Sequence, residues 1–197
     1  MLLYSTTQQN THYTGFTLVE VLVAISLLLL ALVGPMTFIA RSSQSTELNN
    51  QQVPAVFLAQ EGVELVQKVR DDELRAWFSP SASPPAWSNM RSYLSACFSS
   101  SGCGLSISSV DTVNVRSCAT IENCRLYYNE ADTTRSKYVY DSSAGDVTPY
   151  TRVIYLNEVV AGREVEVRSE VTWRSGTLRD GQRVEVETAI FNIYDTD

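Results

Sequence analysis

Gly15-Phe16-Thr17-Leu18-Val19-Glu20 opens onto the run Val21-Leu22-Val23-Ala24-Ile25-Ser26-Leu27-Leu28-Leu29-Leu30-Ala31-Leu32-Val33-Gly34-Pro35-Met36-Thr37-Phe38-Ile39-Ala40, twenty residues without a charge. Ser26 and Thr37 are the only conventional polar side chains in the run, and Glu20 is the only charge between Phe16 and Ala40. A helix over 16–40 rises ~1.5 Å per residue and measures roughly 37 Å, enough to cross a bilayer core of about 30 Å. Such a segment belongs in a membrane or an equally dry assembly. A carboxylate in it costs about 2.5–3.5 kcal/mol at the bilayer centre and less towards the edge. Glu20 therefore needs a partner, the simpler alternative being a glutamate that snorkels to the interface.

Outward from this stretch, the charges lie on one side. Residues 41–197 hold all 15 Lys and Arg and 21 of the 22 Asp and Glu, while residues 1–15 hold none of either. The chain has 197 residues, a net charge of −7 and a pI near 4.8. That balance argues against nucleic-acid binding, which needs clustered surplus cations. The one histidine is His12. If the first fifteen residues are removed, a histidine-based triad, a histidine-ligated zinc or an imidazole base is impossible. A secretory signal peptide is also a poor fit, because the leader has no basic residue and the apolar core is too long.

Gly15-Phe16-Thr17-Leu18-Val19-Glu20 ahead of this apolar run resembles the processing site of type IV prepilins and of the pseudopilins of type II secretion. The resemblance implies cleavage between Gly15 and Phe16 by a membrane-embedded aspartyl peptidase, followed by N-methylation of Phe16. It also implies that Glu20 pairs with the N-terminal amine of a neighbouring subunit during assembly. Cleavage places one positive charge beside one negative charge in a segment that has no others, and burial makes their pairing between subunits worthwhile. Glycine at position 15 suits close backbone approach in a protease groove. Where the family usually has Lys or Arg before the glycine, this chain has Thr14. The implied partners are other pilin or pseudopilin subunits, the prepilin peptidase and methyltransferase, and the membrane.

The helical pattern continues past the apolar run. Gly34 and Pro35 lie inside it and are expected to kink or loosen the helix; pilin helices often carry Gly and Pro in this part. Leu58, Gly62, Leu65, Val66 and Val69 then fall on one helical face, with Glu61, Glu64, Lys68 and Asp72 on others. Residues from Phe16 to about Ala76 thus read as one helix in two halves, roughly 90 Å if unbroken. The expected organisation is a leader over 1–15, a membrane and assembly helix over 16–40, an amphipathic helix over 41–78, and a β-rich head over 79–197. Ser79-Pro80-Ser81-Ala82-Ser83-Pro84-Pro85 ends the helix.

Cys97, Cys103, Cys118 and Cys124 form an even set with gaps too wide for zinc knuckles. Disulfides in an oxidising compartment are the expectation. Three connectivities are open, of which the local one, Cys97–Cys103 with Cys118–Cys124, is preferred. In the C-terminal half, Val165, Val167, Val171 and Trp173 alternate with Glu164, Glu166, Arg168, Glu170, Thr172 and Arg174, and Val184, Val186 and Ile190 repeat the pattern. The turn signals in 175–181 join these two strands as an antiparallel hairpin. Earlier strands are expected at 106–115, 125–129, 137–141 and 152–157. The fold class is α+β: one long N-terminal helix laid on an antiparallel sheet, pilin-like.

The remaining features favour structure over chemistry. Arg163, Arg168, Arg174, Arg179 and Arg183 are interleaved with glutamates, as on a solvated, cross-paired face. Tyr127, Tyr128, Tyr138, Tyr140, Tyr150 and Tyr155 suit half-buried sheet positions better than an adhesive surface. Asp141, Asp146, Asp180 and Asp195 lack the D-x-D-x-D-G spacing of a calcium loop. No catalytic residue, metal site or cofactor is expected. The reading is a structural subunit, a minor one in preference to a major one, of a type IV pilus or secretion-type filament. It would be a single-pass precursor in the cytoplasmic membrane with its head outside. The alternative is a single-pass membrane protein with an extracytoplasmic β-rich binding or adhesive domain.

Overall fold

In the computed structural model of the chain, residues 15–78, 85–108, 111–130, 137–174 and 181–193 are described. The leader before Gly15, including His12 and Thr14, lies outside them, as do residues 79–84, the tip of the 175–181 turn, Arg179, Asp180 and Asp195. Contacts divide the chain into two units, Met1–Thr46 and Glu47–Asp197.

Helix α1 spans Leu18–Trp77 and continues through Gly34, Pro35 and Pro54. Within the second unit it presents the expected stripe: Leu58, Gly62, Leu65, Val66 and Val69 are all buried, joined by Ala55, Ala59 and Val63. The 3.6-residue period supplies this face, and the small residues on it let the helix approach a sheet closely. Gly62 lies over Ser169 and Ile154.

The sheet has seven antiparallel strands: β1 Cys103–Ile107, β2 Val113–Ser117, β3 Arg125–Tyr128, β4 Tyr138–Val139, β5 Asp146–Val160, β6 Glu164–Trp173 and β7 Gln182–Phe191. β5 is its axis. β6 pairs along Tyr150–Val160, and β7 pairs with β6 in the hairpin expected from the alternation. β1 and β3 both pair with β5 in turn, at Ile154 and over Asp146–Thr151, so each brings a hairpin partner, β2 or β4. In β6, Val165, Val167, Ser169, Val171 and Trp173 all point into the core. Two clusters of buried residues result. One joins Val63, Val66 and Val69 to Leu105, Ile154, Leu156, Val165, Val167 and Ile190. The other joins Ala55, Leu58 and Ala59 to Leu126, Tyr140, Tyr150, Val171 and Trp173.

The structure corrects one strand and adds one helix. The single strand expected at 106–115 is two strands with a turn between them: Ser108 N–H donates to the Thr112 carbonyl at 2.8 Å, and Asp111 takes φ = 60°. Aspartate tolerates this left-handed backbone, so the chain reverses without glycine or proline. The added helix, α2, spans Ala86–Tyr93 and buries Ala86, Trp87 and Met90.

Candidate functional site

Gly15, Phe16 and Thr17 precede α1 in extended chain. Thr17 ends that chain and starts the helix: its Oγ1 accepts the Glu20 N–H at 3.2 Å and its carbonyl accepts the Val21 N–H at 3.2 Å. This is an N-cap, in which a side-chain oxygen satisfies one of the first unpaired amides. Glu20 thereby occupies the third helical position, where a carboxylate faces the positive end of the helix macrodipole. Sequence reasoning singled out Gly15, Phe16 and Glu20 and missed Thr17. Its signal was present, since Thr-x-x-Glu before an apolar run is the capping-box pattern.

Behind this start, Leu18–Ile39 is the one stretch among the described residues long and apolar enough to cross a membrane, and none of it is buried within the chain. Its polar side chains are satisfied locally. Ser26 Oγ donates to the Leu22 carbonyl and Thr37 Oγ1 to the Gly34 carbonyl, each at 2.8 Å. Pro35 has no N–H, so the Ala31 carbonyl lacks its usual helical donor. The segment thus offers a dry surroundings nothing unsatisfied except around that carbonyl and at its charged, capped start.

In the second unit the four cysteines form two disulfides, Cys97–Cys103 and Cys118–Cys124. All four are buried, one pair in each cluster of the core. The more consequential group is one that sequence reasoning did not single out. Arg152 on β5 is fully buried. Its Nε donates to Tyr140 Oη at 3.0 Å, Nη1 to the Leu58 carbonyl at 3.1 Å and Glu61 Oε2 at 2.7 Å, and Nη2 to the Leu105 carbonyl at 2.7 Å. One guanidinium thus ties α1, β1, the end of β4 and β5 together. Burial alone opposes its charge, but Tyr140 and Glu61 outweigh burial and hold the pKa above the ordinary arginine value. Nothing about an arginine in a predicted strand distinguishes it from a solvated one.

The interleaved charges on β6 and β7 do pair across the sheet surface, as Arg183 does with Glu170 at 3.6 Å and Glu185 at 2.5 Å. Of the tyrosines, Tyr140 and Tyr150 are buried, and the Tyr150 hydroxyl donates to the Gln51 carbonyl of α1 at 3.0 Å.

Comparison with known proteins finds the family of the prokaryotic N-terminal methylation motif, matched over residues 10–34. No curated protein and no solved structure matches the chain. The matched segment contains Gly15, Phe16, the Thr17 cap, Glu20 and the start of the exposed apolar helix. The N-terminal segment of the chain thus carries the prokaryotic N-terminal methylation motif, on a long helix that precedes an antiparallel α+β head.

Proposed function

We propose that this chain is a structural subunit, a minor one, of a type IV pilus or type II secretion-type filament. It is made as a single-pass precursor in the cytoplasmic membrane, cut between Gly15 and Phe16 by prepilin peptidase and methylated on Phe16. Its head, containing both disulfides, lies outside the membrane, and the subunit leaves it for an extracellular or periplasmic filament of other pilin or pseudopilin subunits. The observation that carries the reading is the methylation-motif match around Gly15–Phe16 and Glu20, directly before an apolar helix with no cover of its own. The minor role is supported by the leader without a basic residue and by the irregular, disulfide-bearing region between helix and sheet.

The chemistry follows from the capped start of α1. Cleavage would put a Phe16 ammonium one residue before the cap, where the macrodipole is already positive. Glu20 then serves best by meeting the ammonium of an adjoining subunit, since each charge left alone in a dry assembly is costly. Gly34 and Pro35 give the helix a place to loosen when it packs.

The test is intact-mass analysis and N-terminal sequencing after co-expression with a prepilin peptidase. The expected product begins at N-methylated Phe16, and Gly15→Val is expected to remain an uncut, membrane-retained precursor. A chain that still begins at Met1, or that is cut equally well in the variant, overturns this reading in favour of a single-pass anchor bearing a binding domain.

A further inference from the structure

The two hairpins β1–β2 and β3–β4 leave a cleft of about 470 Å³ between them, on the edge of β5 opposite β6. Its polar lining carries Ser106, Asn114, Arg116, Asn129 and Asp141, with Val139 beside them, while Ile107 and Val115, also in the lining, pack their side chains against the core. Nothing in the assembly reading uses it.

Its surfaces are held in place from beneath. Tyr140, also in the lining, is buried and receives the Arg152 Nε–H, while its ring lies against the backbone of Gly104, where a Cβ would come within 2.7 Å of it. Arg116 Nη1 donates to the Tyr140 carbonyl at 2.7 Å and bridges the two hairpins. Asp141 Oδ1 accepts from both the Ser143 N–H at 2.9 Å and the Ser143 hydroxyl at 2.7 Å. A wall oriented before any ligand arrives lowers the ordering cost of binding.

We propose that this cleft is a binding site for an uncharged saccharide. The lining has one positive and one negative side chain, Arg116 and Asp141, so it offers no net attraction to a phosphate or a cation. A sugar ring presents hydroxyls that each donate and accept, set around faces of apolar C–H groups. The cleft supplies the complement: guanidinium and amide N–H groups donate, carboxylate and amide oxygens accept, and Val139 meets a C–H face. An extended peptide would instead need a free run of main-chain groups along a strand edge. The proposal does not depend on how the N-terminus is processed.

The experiment is saturation-transfer NMR on the full chain in an amine-oxide detergent, since sugar-headed detergents would compete. The probes are methyl glycosides of glucose, galactose, mannose and N-acetylglucosamine, with glucose 6-phosphate and trialanine as comparators. At least one glycoside is expected to bind with Kd on the order of 1 mM, as suits an open site. Asp141→Asn keeps an oxygen for Ser143 but loses the charge, and is expected to weaken binding at least tenfold. Asn114→Ala, at an exposed position, is expected to weaken it as well, and Arg183→Gln on β7 to leave it unchanged. The proposal is overturned if no glycoside binds, if the phosphate or the peptide binds in preference, or if Asp141→Asn and Asn114→Ala bind as the parent does.

Discussion

At Gly62 a methyl group has no room: a Cβ there would lie 2.3 Å from Ser169 Oγ and 3.2 Å from Ile154 Cδ1. Gly62→Ala gains helix propensity, yet the overpacking is expected to win and cost about 1–3 kcal/mol in urea unfolding. Ser169 Oγ is buried with no hydrogen-bond partner among the described residues, so Ser169→Ala is expected to be close to neutral. Combining the two should recover part of the loss, and strict additivity in that cycle would refute the clash. Arg152→Leu is a harsher change, removing at once a charge partner of Glu61 and the donors to the Tyr140 hydroxyl and to two carbonyls. Its expected cost is about 3–5 kcal/mol, and Glu61→Gln should cost less because Glu61 is about a quarter exposed. Glu187 offers a pH test. Hydrogen bonding with Glu185 first, then burial and the charges of Glu185 and Glu166, hold its pKa above the usual carboxylate value, while Arg168 pulls it down. A raised folded-state pKa means a contribution present below the unfolded value and lost as pH rises through the folded one. Glu187→Gln mimics the protonated form and should therefore raise the melting temperature at neutral pH by ~1 °C at this exposed site. That gain should disappear in acid; a gain that persists there would have another origin.

The elements differ in how openly the sequence announces them. α1 and the β6–β7 hairpin were legible because a face buried on one side imposes a period, 3.6 for Leu58 to Val69 and 2 for Val165 to Trp173. α2 was not, because Ala86–Tyr93 is short and follows a proline-rich stretch that reads as loop. Its Trp87, Met90 and Leu94 have helical spacing, but eight residues show too little of a period to stand out. The β1–β2 turn escaped notice because its left-handed residue is Asp111 rather than glycine. Of the candidate site, the Gly15–Glu20 segment was legible as a motif, whereas the Arg152 network depends on which strand lies under which turn of helix. The disulfides support a prediction at this scale. Both act within 95–124, so reduction should speed hydrogen exchange there and in α2 more than in β6 and β7. Alkylation without reductant should label no cysteine in chain recovered from cells. Labelling of all four would place the head in a reducing compartment.

For the molecule as a whole, the two units carry separable demands. Glu20 belongs to the first, where its N–H donates to the cap at Thr17. Glu20→Gln is therefore expected to be processed and to fold as the parent does, yet to enter filaments about tenfold less, because the adjoining ammonium loses its counter-ion. Glu20→Asp, with the charge kept and the reach shortened, should fall between. Comparison of the membrane pool with the sheared filament fraction measures both, and equal incorporation of all three chains would remove Glu20 from the assembly chemistry. The disulfides have one more consequence, which concerns time. In each pair the cysteines are six positions apart, and both pairs precede β5, the strand on which the rest of the sheet is built. In a chain that emerges N-terminus first, Cys97 and Cys103 can meet within about 10–100 ns of appearing, as loops of this size do. At roughly 5–20 residues per second, Cys118 follows on the order of a second later. Joining Cys97 to Cys103 takes an oxidant of the compartment and seconds or longer, but the order of arrival makes Cys103 the first thiol that Cys97 meets.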